Sequence, residues 1–257
     1  MLLHLLLVAN IGWLVLVAGQ NEIPTVPCYG SDCLVTELTT EMTTSPTTES
    51  TTTPTTTPRP AGIQRTVVVI YKVTELGQDM FIQGGVNKET VRPSCATDVS
   101  AETSQCSISI NATALGTGTH WAKYDAWRVG DTKLDWFGVQ PGQGIYQTYV
   151  AYGTPLAWTT NVPGTNGYQQ LNTWGPNNWM VDFQMNCDET ENGWFDVHAY
   201  LTLYGTGYEP DIQQSVCSGT GSDVAPPYIS NKNHVACCGY INRFNFGTGG
   251  CEINGFP

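Results

Sequence analysis

Five short runs carry the clearest pattern of apolar and polar positions along the chain. Arg65 to Val73 is β-branched and bounded by polar and glycine residues, the signature of a core strand. Asp79 to Gln83 follows as its expected hairpin partner and ends at Gly84-Gly85. Ser107 to Asn111 alternates strictly, which puts Ile108 and Ile110 inward and Asn111 outward. From Trp179 to Asn186 the apolar face is Trp179, Val181, Phe183 and Met185. Between Trp194 and Tyr204, Phe195, Val197, Ala199, Leu201 and Leu203 face the core. Trp194, Asp196, His198, Tyr200, Thr202 and Tyr204 share the opposite side. Glu191-Asn192-Gly193 supplies turn chemistry, so the last two runs are predicted to pair as an antiparallel hairpin. No stretch shows a sustained 3.6-residue apolar period and no repeat is visible. Short strands with glycine-rich turns predict an all-β, antiparallel sandwich or jelly-roll-like domain.

The N-terminal quarter has a different pattern. Leu2 to Val17 is almost wholly apolar, then Ala18-Gly19 precedes polar Gln20. That is the shape of a signal peptide over residues 1–19, with a membrane anchor as the alternative; the run is short for a span and no Lys or Arg flanks it. Residues 20–35 form a short segment in which Cys28 and Cys33 can close a small loop. Residues 36–61 are dominated by Thr, Ser, Pro and Glu. Such a tract buries too little apolar area to offset its chain entropy, and in an exported protein it is expected to be a disordered, O-glycosylated stalk. The β-rich domain then occupies residues 62–257. The expected location is extracellular, without membrane insertion.

Nine cysteines agree with an oxidising compartment. Beyond the stalk lie Cys95, Cys106, Cys187, Cys217, Cys237, Cys238 and Cys251, in no zinc-site spacing. The odd total leaves one thiol over, at Cys237 or Cys238, either buried or available to a disulfide-linked dimer. Twenty-two acids against ten bases give a formal charge of −12, which argues against a nucleic-acid partner. Charged residues are nevertheless only 12%, too few for a mineral-templating tract.

The outward face of the Trp194 run is the strongest candidate for chemistry. Flat rings stack on the apolar faces of sugars while neighbouring polar groups take hydroxyls. The competing reading is that a second layer covers this face. Trp136, Trp158 and Trp174 lie in Gly/Asn/Pro-rich, loop-like sequence and are further candidate platforms, or else caps on the sandwich core. Asp182, Asp188, Glu189 and Glu191 are the only clustered acids a glycosidase pair would draw on, and no catalytic motif accompanies them. The same turn offers oxygen ligands to calcium without EF-hand spacing; no other cofactor is implied. Asn111-Ala112-Thr113 is an N-glycosylation acceptor on an outward position.

Several segments resemble the domain appended C-terminally to α-amylases of molluscs and other marine invertebrates, which also occurs as a separate secreted protein. They are Val69–Thr74 with Gly77–Gly85, Ala122–Asp131, Leu134–Gly138, Pro155–Thr159, Thr190–Phe195 and Cys238–Asn242. They are spread over nearly all of 66–256. The resemblance implies an accessory module that holds an enzyme on starch or a related glucan and has no catalysis of its own. It also implies pairs Cys95–Cys106, Cys187–Cys217 and Cys238–Cys251, with Cys237 as the extra thiol. The leading expectation is therefore a secreted, non-catalytic binder of polysaccharide or glycoprotein glycans through Trp194, Asp196, His198, Tyr200 and Tyr204. The alternatives are a structural component of matrix, mucus or shell, and, behind it, a carboxylate-dependent glycoside hydrolase.

Overall fold

A computed structural model describes residues 60–203, 207–221 and 225–257. The expected leader, the Cys28–Cys33 segment, nearly all of the expected stalk and Tyr204 lie outside the described residues. Among the described residues there are eleven strands: β1 (Ile63–Tyr71), β2 (Met80–Gly85), β3 (Ile108–Ala112), β4 (Lys133–Leu134), β5 (Thr154–Thr159), β6 (Asn178–Asn186), β7 (Trp194–Leu201), β8 (Gly207–Tyr208), β9 (His234–Cys237), β10 (Ile241–Asn245) and β11 (Cys251–Asn254). The expected all-β architecture is found, with one parallel pair, β1 with β10, among antiparallel ones.

The strands run β11-β10-β1-β6-β5-β2-β7-β8, with β3 added to β6 and β9 to β7. The turn comes at β5. Its first half, Thr154–Leu156, pairs with β2, and its second half, Ala157–Thr159, pairs with β6. One strand thus serves two sheets, a common way to make a sandwich corner. Val68, Ile70, Val181 and Phe183 from one side meet Met80, Ile82, Phe195 and Val197 from the other in the main core.

Two expected hairpins are corrected. β2 pairs with β5 and β7, not with β1, and β7 pairs with β2, β8 and β9, not with β6. β1 instead pairs along the whole of β6, from Ile63 opposite Asn186 to Tyr71 opposite Asn178. Alternation fixes which face a side chain takes but says nothing about which strand lies beside it. The sequence reading also missed helix α1 (Ala122–Arg128), seven residues long, with Tyr124 and Trp127 buried. Among the described residues no helix is long and apolar enough to cross a membrane.

Three disulfides brace the domain: Cys95–Cys106, Cys187–Cys238 and Cys217–Cys251. The first is as expected, and the other two replace the expected Cys187–Cys217 and Cys238–Cys251. Cys237 belongs to none of the three. It is buried with Trp194, Val235 and Ile253, so a bridge from it to a second chain would require that cluster to open.

Candidate functional site

The outer face of the β2–β7 pair follows directly from register. Phe81 lies opposite Tyr200, Gln83 opposite His198, and Gly85 opposite Asp196. Period two therefore predicted correctly which side chains of β7 leave the core. It did not show that this face is divided in two.

One half is covered. Trp194 is 1% exposed and Asp196 0%, beneath the segment that folds back after β8. Asp196 accepts hydrogen bonds from Asn87 Nδ2 at 2.7 Å, Asn233 Nδ2 at 2.8 Å and the Tyr228 hydroxyl at 2.7 Å. Burial pushes its carboxyl up, against these donors. It holds a loop down and offers nothing to a ligand. His198 is half-buried, with Nε2 3.0 Å from the Glu209 carbonyl. A cavity of about 270 Å³ remains above Trp194, without a charged group in its lining among the described residues. The expected sugar platform at Trp194 and Asp196 is thus overturned, because the loop that covers them comes from further along the chain.

The other half opens. Phe81, Tyr200 and Thr202 form the floor of a cleft of about 540 Å³, walled by Trp127 of α1 and by Tyr149 and Tyr152 from the segment before β5. Tyr152 and Tyr200 are stacked nearly parallel, with centroids 4.8 Å apart and an interplanar angle of 15°, so each covers one face of the other. Phe81 meets the Trp127 ring at 5.0 Å, and Tyr208 stands edge-on to Tyr200 at 5.0 Å. Tyr149 is 63% exposed and Tyr152 44%, so both rings have a face for a ligand. At one end Lys123 Nζ lies 2.8 Å from both oxygens of Asp79. Burial raises the Asp79 carboxyl, and the Lys123 ammonium opposes that rise.

The cleft walls are fixed by polar contacts behind them. The Trp127 indole donates to the Tyr149 carbonyl at 2.9 Å. Gln83 Nε2 donates to the Tyr152 carbonyl at 3.1 Å, while its Oε1 accepts from the Tyr208 hydroxyl at 2.9 Å. Gln143 Nε2 donates to the carbonyls of Trp127 and Gly153, both at 3.0 Å. A Cβ at Gly153 would stand 2.4 Å from the Ile82 carbonyl oxygen, so only glycine lets this segment approach β2. Leu203 on the rim and Gln147 beside the lining residue Thr148 have φ of 66° and 55°. Left-handed backbone at non-glycine residues is uncommon and concentrates at functional sites.

None of the other candidate tryptophans lines this cleft. Trp136 donates to the Val86 carbonyl, Trp158 to Asn177 Oδ1 and Trp174 to Glu252 Oε2, and all three pack on the main core. Of the acids, Asp182 is bound bidentately by Arg65. Asp188 accepts from the Gly62 amide and Glu189 from Ser109, while Glu191 Oε1 accepts from Asn192 Nδ2. None of the four lines the cleft, where Asp79 is the one carboxylate among the described residues. No three His, Cys, Asp or Glu side chains form a metal-ligand set among the described residues. Asn111 is exposed on β3, facing away from the core.

Compared with protein-family models, curated proteins and solved structures, the chain matches none.

Proposed function

We propose that this domain is a non-catalytic carbohydrate-binding module, exported on a glycosylated stalk, with the aromatic cleft as its ligand site. The observation that carries the proposal is an open cleft walled by exposed aromatic rings, Tyr149 and the Tyr152 ring stacked on Tyr200, beside the Asp79–Lys123 ion pair. Exposed ring faces offer flat apolar surface to pyranose faces. A charged donor and a charged acceptor at the edge suit the ring hydroxyls. The resemblance to amylase-appended domains points to starch-like glucans as the substrate class. A lone carboxylate already held by a lysine supports binding over hydrolysis, since glycosidases flank the bond with two.

The test is retention of the full chain on insoluble starch, chitin and cellulose, followed by a glycan array. Tyr152→Ala and Tyr200→Ala are expected each to weaken binding about tenfold, equivalent to about 1.4 kcal/mol. Trp194→Ala should leave the dissociation constant unchanged and lower stability by about 3 kcal/mol, because its ring fills a core and not the cleft. Retention on none of the polymers, or undiminished binding in the double tyrosine variant, would discard the proposal.

Export carries its own check. Asn111 is outward and solvent-exposed, so an attached glycan has room. Protein made in a secretory host should lose mass on endoglycosidase treatment, and Asn111→Gln should abolish that shift. An unmodified wild-type chain from such a host would refute use of the site.

A further inference from the structure

A second groove lies at the C-terminal ends of β1 and β10, lined by Tyr71, Lys72, Arg243, Asn245, Phe246 and Thr248, with a volume of about 550 Å³. Its charge is opposite to that of the chain as a whole. Of the basic residues, Arg65, Lys123, Arg128, Lys133 and Lys232 are in ion pairs with carboxylates. Lys72, Lys88, Arg92 and Arg243 are in none among the described residues, and two of these four share this groove. In a chain with 22 acids and 10 bases, such a pair without carboxylate partners marks a local positive site.

Both cations are held by aromatic faces. Lys72 Nζ lies 4.7 Å from the centroid of Phe246. The Arg243 guanidinium lies between Tyr71 and Trp174, 5.5 Å from each centroid, and Nε donates to Asn178 Oδ1 at 3.2 Å. Cation–π contacts orient a cation without neutralising it. Glu252, opposite Arg243 on β11, accepts from the Trp174 indole at 2.8 Å and Asn254 Nδ2 at 2.7 Å and offsets part of the Arg243 charge without forming an ion pair with it. Arg243 is thus oriented by its two rings and Asn178, and Lys72 beside it adds a second positive charge to the groove. The groove is shallow, and Asn245 and Thr248 supply an amide and a hydroxyl on its border.

We infer that this groove binds an anionic polysaccharide, a sugar chain carrying sulfate or carboxylate groups, at a site separate from the aromatic cleft. A polyanion threads an open groove with its charges on Lys72 and Arg243 and its hydroxyls on Asn245 and Thr248. Polar border groups and shallow relief favour a glycan over an acidic peptide, whose side chains need pockets.

Affinity electrophoresis and calorimetry with heparin, alginate, neutral dextrin and polyglutamate test this on the full chain. Wild type should be retarded by heparin, alginate or both, and these two arms distinguish sulfate from carboxylate. Retardation should vanish by about 0.5 M salt, where exposed charges are screened. Lys72→Gln and Arg243→Gln should each weaken binding about fivefold, the scale of one exposed charge contact, and Arg243→Lys should restore part of it. Lys72 is outside the core, so its variant reads the site even if Arg243→Gln fails to fold. Tyr200→Ala, which disables the cleft, should leave polyanion binding intact; the two proposals therefore fail separately. No retardation by either polyanion, affinity undiminished in the folded Lys72→Gln variant, or polyglutamate bound as tightly as heparin would overturn the inference.

Discussion

Stability is expected to fall as pH rises from about 4 to about 7, and Asp131→Asn is expected to make that fall shallower, the raised carboxyls of Asp79, Asp135 and Asp196 contributing the rest. Asp131 is 3% exposed, between α1 and β4. Its Oδ1 accepts from Gln140 Nε2 at 3.0 Å. Burial, with the neighbouring Asp135 charge adding to it, raises this carboxyl from an ordinary 3.8 to about 7, and the Thr154 hydroxyl and Gln140 oppose the rise. A carboxyl raised on folding leaves the native state at its most stable below the unfolded value, where both states are protonated. Between the two values the unfolded chain ionises more readily, and stability is lost. At about 1.4 kcal/mol per tenfold, the displacement amounts to about 4 kcal/mol at neutral pH. Asparagine keeps the acceptor and removes the ionisation. Urea unfolding between pH 4 and pH 8, with disulfides intact, measures it. A flat wild-type profile, or an Asp131→Asn profile as steep as wild type, would refute the assignment. The consequence reaches the cleft. Gln140 also donates to Asp135 Oδ2 at 2.8 Å, and its amide donates to Gln143 Oε1 at 3.1 Å. Gln143 in turn holds Trp127 and Gly153, which position two walls of the binding site.

Much of this arrangement was legible in local pattern, and the failures share one cause. Strands β1, β3, β6 and β7 were found because alternation is a property of neighbours in sequence. The outward position of Tyr200 was found the same way. Phe81 was equally available: it stands between Met80 and Ile82, which face the core, so the same rule turns it outward. Trp127 was hidden by a helix too short to show a period. Tyr146, Tyr149 and Tyr152 recur every third residue in a glycine-bounded stretch, a weak signal that nothing local interprets. The burial of Trp194 and Asp196 depended on residues some thirty positions away, Tyr228 and Asn233, whose contacts no strand pattern encodes. What lies inside a sandwich is written into each strand; what covers its outer face is decided by loops.

The disulfides show the same limit and set the second large effect. Replacing Cys187 and Cys238 together by alanine is expected to cost about 4 kcal/mol. The half-cystines are 51 residues apart in sequence, and closing a loop of that length removes about that much free energy from the unfolded chain. Cys95–Cys106, with a separation of 11, should be worth about 3 kcal/mol by the same reasoning. Both bridges are buried in the main core, and the longer one joins the end of β6 to the turn between β9 and β10. Around it the Cys187 amide donates to the Gly62 carbonyl at 2.8 Å and the Cys238 amide to the Gly193 carbonyl at 2.8 Å. The Gly239 amide donates to Thr66 Oγ1 at 2.9 Å. Removing the bridge therefore loosens β1, β6, β7 and β10 where they meet. Successive residues in extended backbone point to opposite sides, which is why Cys238 enters this core while Cys237 enters the Trp194 cluster. The identity of the bridged cysteine thus depends on which face of β9 meets β6, information absent from cysteine spacing. Denaturant midpoints of the two double-alanine variants, compared at constant slope, measure the difference. A smaller loss from Cys187/Cys238 than from Cys95/Cys106 would show that the longer bridge is dispensable and that hydrogen bonding alone holds the strand ends together.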